Sequence, residues 1–388
     1  MTLEAILERA EQLYRDVDLQ AVRAWKAARP GAHAIGHLPV YAPREIVHAA
    51  GMLSVGILGG GDQLEIVRGD AYFQSYICHI PRSVVEMGLS GRLDCLDGML
   101  FPSTCDVIRN LSGIWQVLFP DKYVRYLDVP QNFDPEIGGR FWAGELQGLR
   151  TDLEKLAGRR IGDDDLRQSI ALFDKNRRLL RELETLRHDM PWRVPASEVY
   201  LVVRAGLLLP VEEHNAMLGD YLVAARAADR PERDNSRVVL RGAFCEQPPL
   251  GLLRTLERAG CDLVDDDLVL GSRWLRADVG PAAGDPVEAL ALAFLRHSTP
   301  AAVLYAGDRE KGADLVDAVR RSGAEGVVFC AASFCDPALL DQPMLVAALD
   351  RAAIPHTSFK YSEDSGQFQV IREQAGTFSD SIKLWSES

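Results

Sequence analysis

The chain opens with one alternation of apolar and polar runs, repeated. Residues 1–30 read as helix, ending at Arg29-Pro30-Gly31. Ala34-Ile35-Gly36 and Val55-Gly56-Ile57-Leu58 are short apolar runs that read as strands. Between them residues 43–51 read as a helix with Pro43 in its first turn and Gly51 at its end. A helix from Pro81 to about Leu89 precedes a strand over 98–101, a helical stretch covers 107–115, and 123–127 is a further strand. This order predicts a parallel α/β sheet. From about Ala143 to Ala227 the period changes: Leu166, Ile170, Phe173, Leu180 and Leu183 recur near every 3.6 residues, with Arg and Glu between them. Around Asn235 the α/β pattern resumes, with strands over 238–240, 262–264, 326–329 and 357–360. Helices are expected over 249–259, 286–296, 308–321 and 337–351. The expected fold is α/β, two doubly wound lobes with parallel sheets joined by a helical connector. Residues 1–142 form the N-terminal lobe with its leading helix, 143–234 the connector and 235–388 the C-terminal lobe.

A chain of 388 residues is too long for one ordinary core, which supports two lobes. The net charge of -13 argues against nucleic acid or an anionic membrane as a main partner. No signal peptide is visible at the N-terminus, and the best apolar stretch, 199–211, is short and broken by Arg204 and Pro210. Seven widely spread cysteines then fit reduced thiols in the cytoplasm better than a disulfide framework. No Walker A sequence and no G-x-G-x-x-G opening a helix is present, so the chain shows no nucleotide-hydrolysing site of its own.

Three cysteines sit where a strand or loop runs into a helix. Gly98 to Asp106 reads as an apolar run, a break, then Cys105-Asp106; Gly326 to Pro337 repeats that design at Cys335-Asp336; and Cys78 lies just before a helix start. Helix N-termini favour thiolates through the helix dipole and free backbone N–H groups. Three thiolates can hold a [4Fe–4S] cluster and leave one iron without a protein ligand; buried packing is the plain alternative. Cys95 and Cys261 adjoin apolar strands and read as core. Cys330 reads as a packed thiol at a strand end, and Cys245, which follows a strand, stays open. Gly59-Gly60-Gly61-Asp62 reads as a glycine turn rather than a phosphate cradle. His79 is a possible proton donor beside Cys78, whereas His37, His48 and His356 read as ordinary core or surface histidines. Asp106 and Asp336 are acids near the cluster or helix caps. Arg109 and Lys360 either meet anionic substrate groups or form surface pairs.

The segments Tyr76 to Ser83, Asp97 to Gly113, Phe334 to Pro337 and Gly366 to Arg372 resemble the 2-hydroxyacyl-CoA dehydratase/benzoyl-CoA reductase family. So do Ala24 to Ala28, Pro43 to Gly51, Gly56 to Asp62 and Lys122 to Tyr126, and the similarity covers nearly the whole chain. The resemblance implies a [4Fe–4S] cluster on Cys78, Cys105 and Cys335, with the choice between Cys330 and Cys335 at the third position left open. Its ATP-dependent reductase branch implies a four-subunit cytoplasmic complex of anaerobic aromatic degradation. There, this chain and a related B subunit would form the ring-reducing module. Two ATPase activator subunits would take electrons from reduced ferredoxin, and an aromatic acyl-CoA would leave as a cyclohexadiene-carbonyl-CoA. The rival within the family is a 2-hydroxyacyl-CoA dehydratase subunit, and the rival of another class is an assembly or electron-relay subunit without substrate contact.

Overall fold

A computed structural model describes residues 1–388 apart from 39, 269, 282–283, 305–309, 363–367 and 387–388. The N-terminal part runs α1 (Leu3–Tyr14), α2 (Gln20–Ala27), β1 (Ala34–His37), α3 (Arg44–Ala49), β2 (Leu53–Gly56), α4 (His79–Leu89), β3 (Gly98–Pro102), α5 (Asp106–Leu118) and β4 (Tyr123–Leu127). Helices α6 (Arg140–Ala157), α7 (Asp163–Asp189), α8 (Ala196–Ala205) and α9 (Val211–Ala227) follow. The last part runs β5 (Ser236–Arg241), α10 (Leu250–Arg258), β6 (Cys261–Asp266), α11 (Leu270–Arg273), α12 (Pro286–His297), α13 (Ala313–Ser322), β7 (Gly326–Ala332), α14 (Asp336–Arg351), β8 (His356–Tyr361) and α15 (Phe368–Ser386).

Two four-stranded sheets result, ordered β2-β1-β3-β4 and β6-β5-β7-β8, and every pairing is parallel. The expected doubly wound α/β architecture is therefore present. All residues of β1, β2, β3 and β7 are buried, as in sheets covered by helices on both faces. In each sheet the strand order reverses beside the first strand, between β1 and β3 and between β5 and β7. Doubly wound sheets bind ligands at such a switch point, beyond the carboxyl ends of the strands.

The helix read over 1–30 is two helices. Leu19 takes a left-handed φ of 52°, and the Asp16 carboxylate accepts the N–H groups of Gln20 and Ala21 at 2.8 Å, starting a new helix. The helix read over 308–321 is described from Ala313; Asp308 and Arg309 lie outside the described residues.

The helices α6 to α9 do more than join the sheets. One buried cluster runs from Ile35 and Leu100 through Leu146, Leu180 and Tyr221 to Val238 and Leu263. A buried ion network crosses the same seam. Arg177 on α7 donates to Glu45 of α3 at 2.6 Å and to Asp174 at 2.7 Å, and Asp174 also accepts the N–H groups of Val279 and Gly280. Each charge in this network has a hydrogen-bonded partner, the condition under which buried ions are tolerated.

Candidate metal centre

Cys78, Cys105 and Cys335 occupy the N-cap positions of α4, α5 and α14. The N–H groups of Val107 and Ile108 lie near the Cys105 thiol and that of Ala338 near the Cys335 thiol, each favouring the thiolate without a formal capping bond. Asp106 and Asp336 are the first helical residues, not the caps, and both are exposed. Their charge favours the helix N-terminus without a capping bond.

Local packing fixes each cap. Gly60 N–H donates to Ser83 Oγ of α4 at 2.8 Å, and a Cβ at Gly59 (φ 76°) would meet Ser83 at 3.0 Å. The glycine run is thus the turn that seats α4. The loop leading to Cys78 is anchored by Glu86, whose carboxylate accepts the N–H groups of Val67, Arg68 and Gly69. Ahead of Cys335, exposed Phe334 holds φ at 66°, a strained position for a residue with a Cβ.

These caps converge. The charges of Glu246, Cys335 and Cys105 all act on the Cys78 thiol, and those of Glu246 and Cys105 act on Cys335. A loop of the second sheet closes the group. His79 N–H donates to Glu246 Oε2 at 3.0 Å, the Tyr361 hydroxyl binds the Glu246 carbonyl, and the Gln247 amide donates to the carbonyls of Ala243 and Phe244. Cys245 belongs to the same group: Cys335, Cys105 and Cys78 each act on it. Burial pushes all four thiols upward, Cys335 to about 12, and outweighs the helix-end N–H groups. Helix termini alone therefore do not ionise these sulfurs. Binding of a cation or cluster would supply the counter-charge and release their protons.

Spacing discriminates among metals. Among the described residues, the one group of three His, Cys, Asp or Glu ligand atoms within 4.8 Å of one another is Glu184, His188 and Asp265. In any three of the cysteine sulfurs at least one pair therefore lies more than 4.8 Å apart, against about 3.8 Å between thiolates on one tetrahedral ion. A polynuclear cluster spans such a separation. In the Glu184 group the carboxylates already face arginine, Arg273 at 3.9 Å and Arg321 at 3.2 Å.

The remaining cysteines stand apart. Cys330 is buried inside β7, and the charge that acts on it is that of Asp267. Cys261 is buried at the start of β6, and Cys95 is half-buried near Arg23 and Lys26. Tyr41 is 1% exposed, its hydroxyl has no hydrogen-bond partner among the described residues, and the charges of Cys245 and Arg241 act on it. It lies in a strained turn with Val40, both at positive φ, just past β1. An orphaned phenol near Cys245 fits a site made for a further polar group.

His37 is fully buried and its pKa is pushed down to about 3 by burial. His48 bridges Ser169 and Glu212 at 3.0 Å each, and His356 is half-buried beside Phe329. His79 is buried next to Cys78, while Arg109 and Lys360 are exposed. Sequence reading left Cys245 open and passed over Tyr41 and Glu246. The signal for Cys245 was its place just past a strand, ahead of the helix that Pro249 opens.

The model of the family described as 2-hydroxyglutaryl-CoA dehydratase, D-component, matches residues 39–382, and the chain belongs to that family. The chain is 56% identical to the C subunit of the benzoyl-CoA reductase of Thauera aromatica, over 100% of both chains. It is 31% identical to the β subunit of (R)-2-hydroxyglutaryl-CoA dehydratase of Acidaminococcus fermentans, over 88% of this chain and 91% of that one. With the (R)-phenyllactyl-CoA dehydratase β subunit of Clostridium sporogenes it shares 26% identity, over 91% and 92%. These relatives are subunits of larger enzymes, and the first is part of an oxidoreductase. No described helix is long and apolar enough to cross a membrane.

Proposed function

We propose that this chain is the iron–sulfur subunit of a cytoplasmic, ATP-dependent and ferredoxin-linked benzoyl-CoA reductase, holding a [4Fe–4S] cluster on Cys78, Cys105 and Cys335. The observation that carries the reading is 56% identity over the full length to a benzoyl-CoA reductase subunit, against 26% and 31% to the dehydratase subunits. The three N-cap thiols converge from two sheets and from sequence positions more than two hundred residues apart, and their spacing favours a cluster over a single ion.

When bound, the cluster supplies one-electron transfer at low potential. The chain's own residues provide its setting. Cys335 and His79 are buried and Cys78, Cys105 and Cys245 are half-buried, which limits the access of water to a bound cluster. Glu246 ties α4 of the first sheet to the second through His79 N–H, fixing Cys78 relative to Cys335. Exposed Tyr76 and Phe334 stand two residues and one residue before Cys78 and Cys335, an apolar rim suited to a related B subunit. Two ATPase activator subunits would provide the nucleotide chemistry for which this chain carries no motif, and the complex would convert benzoyl-CoA or a close analogue into a cyclohexadiene-carbonyl-CoA.

The test is to assay the assembled complex with ATP and a reductant on benzoyl-CoA and on a 2-hydroxyacyl-CoA. Ring reduction is expected; dehydration without ring reduction defeats the reading. In parallel, Cys105→Ala is expected to lose the cluster iron of this chain and turnover with it, and normal values for both contradict the assigned site.

A further inference from the structure

The two sheets have the same strand order, and their carboxyl ends can be compared position by position. β3 ends at Pro102 and β7 at Ala332, and three residues past each lies a cysteine of the proposed trio, Cys105 or Cys335. β1 ends at His37 and β5 at Arg241, and four residues past each lies Tyr41 or Cys245. Four side chains thus flank the two switch points in matching pairs. Cys78 enters from the α4 terminus as a fifth.

Several observations set Cys245 apart from the other cysteines outside the trio. β5 lies beside β7 in the sheet, with Arg241 opposite Phe329, so Cys245 and Cys335 leave neighbouring strands at one edge. A Cβ added at Gly242 would lie 3.6 Å from Ala331, so the two turns run close together at the root of the Cys335 turn. The loop is pinned on several sides. Asp267 accepts the N–H groups of Gly242 and Ala243, Gln247 holds its carbonyls, and Glu246 reaches the N–H of His79. All three sulfurs of the trio act on Cys245, and none acts on Cys330 or Cys261. The Tyr41 hydroxyl, buried and without a partner among the described residues, is also close enough to feel Cys245. A buried hydroxyl that lacks an acceptor is costly, and a thiolate or an inorganic sulfide at this place would provide one.

We propose that Cys245 supplies a fourth thiolate to the cluster held by Cys78, Cys105 and Cys335, so that this chain's cluster is closed to substrate and serves as an electron relay. The inference rests on the cluster assignment above. On assembly the S–H bond of Cys245 is replaced by an Fe–S bond and its proton is released to solvent, with no change of oxidation state. The acyl-CoA then finds its open iron or its binding groups elsewhere in the complex, and Tyr41 donates a hydrogen bond to sulfur, stabilising negative charge there.

The test uses the anaerobically purified complex, iron and sulfide analysis, and EPR before and after mild ferricyanide oxidation. The wild-type cluster of this chain is expected to keep its about four irons. Cys245→Ala is expected to lose about one iron in four on oxidation and to show a three-iron signal. Cys245→Ser, which retains an oxygen ligand and guards against misfolding, is expected to keep its iron but shift the reduced EPR spectrum. Tyr41→Phe is expected to keep all iron and lower the cluster's reduction potential. Iron loss and spectra identical to wild type in both Cys245 variants overturn the inference. So does a wild-type cluster in this chain that sheds one iron as readily as Cys245→Ala. If Cys105→Ala loses the cluster while both Cys245 variants match wild type, the cluster assignment stands and only the fourth ligand falls. Full iron in Cys105→Ala overturns the assignment itself.

Discussion

The first and second sheets share a strand order yet contribute differently to the site. Each delivers one cysteine from the turn after its third strand, Cys105 and Cys335, and each of these caps the next helix. Beyond that the symmetry breaks. The first sheet adds Cys78 from the distant terminus of α4, whereas the second adds Cys245 and Glu246 from the loop after β5. After β1 the equivalent place holds Tyr41, a phenol in a strained turn. Topology therefore accounts for the two matched sulfurs, and local sequence for the others. The shared strand order supplies two switch points, and differences in local sequence equip them differently.

Four experiments break or sharpen this comparison. The largest effect is expected from exchanging neighbours on the second sheet. Cys335→Ala should abolish this chain's iron, whereas Cys330→Ala, inside β7, should leave iron intact and cost only the small stability loss of a buried cavity; iron analysis of the two variants decides between them. Next comes the seam between the sheets. Glu45→Ala leaves the buried Arg177 guanidinium with Asp174 as its remaining carboxylate and should lower stability by about 2–3 kcal/mol, read by urea unfolding.

A smaller effect is pH-dependent. The Asp266 side chain is largely buried, and although burial raises its pKa, Arg187 and Arg273 together hold it down to about 2. Its folded pKa lies below the ordinary 3.8, so its contribution is complete above about pH 4 and is lost as pH falls toward 2. Across that interval the loss should amount to about 2 kcal/mol. Asp266→Asn should be destabilised at neutral pH, and its deficit should shrink as the pH is lowered; a deficit constant with pH would refute the ion-pair account. The smallest effect is expected at Phe334. Its φ of 66° suits glycine, so Phe334→Gly should change thermal stability by less than about 1 kcal/mol, with no loss of iron.

Much of this was legible in the sequence. Strand and helix runs predicted the doubly wound fold, and the Cys-Asp pairs marked two helix termini because a break between an apolar run and an amphipathic run is a local signal. Boundaries shifted where a side chain intervened, as when Asp16 restarts a helix inside the leading segment. What stayed hidden was nonlocal. The ionisation expected of helix-end thiols did not anticipate their burial, which depends on the opposite sheet. Cys245 gave no stronger local signal than Cys330, and the two separate only once β5 and β7 lie side by side. The burial of the Tyr41 hydroxyl depends in the same way on neighbours more than two hundred residues away, Trp274 and Phe294 among them.

The most direct measurement is an anaerobic iron and sulfide analysis of the purified complex, combined with EPR of the reduced protein and of Cys335→Ala. The expected result is about four irons and four sulfides assignable to this chain, with a reduced-cluster signal that Cys335→Ala removes. A complex that carries no iron on this chain, or one whose cluster signal is untouched by that substitution, would contradict the account.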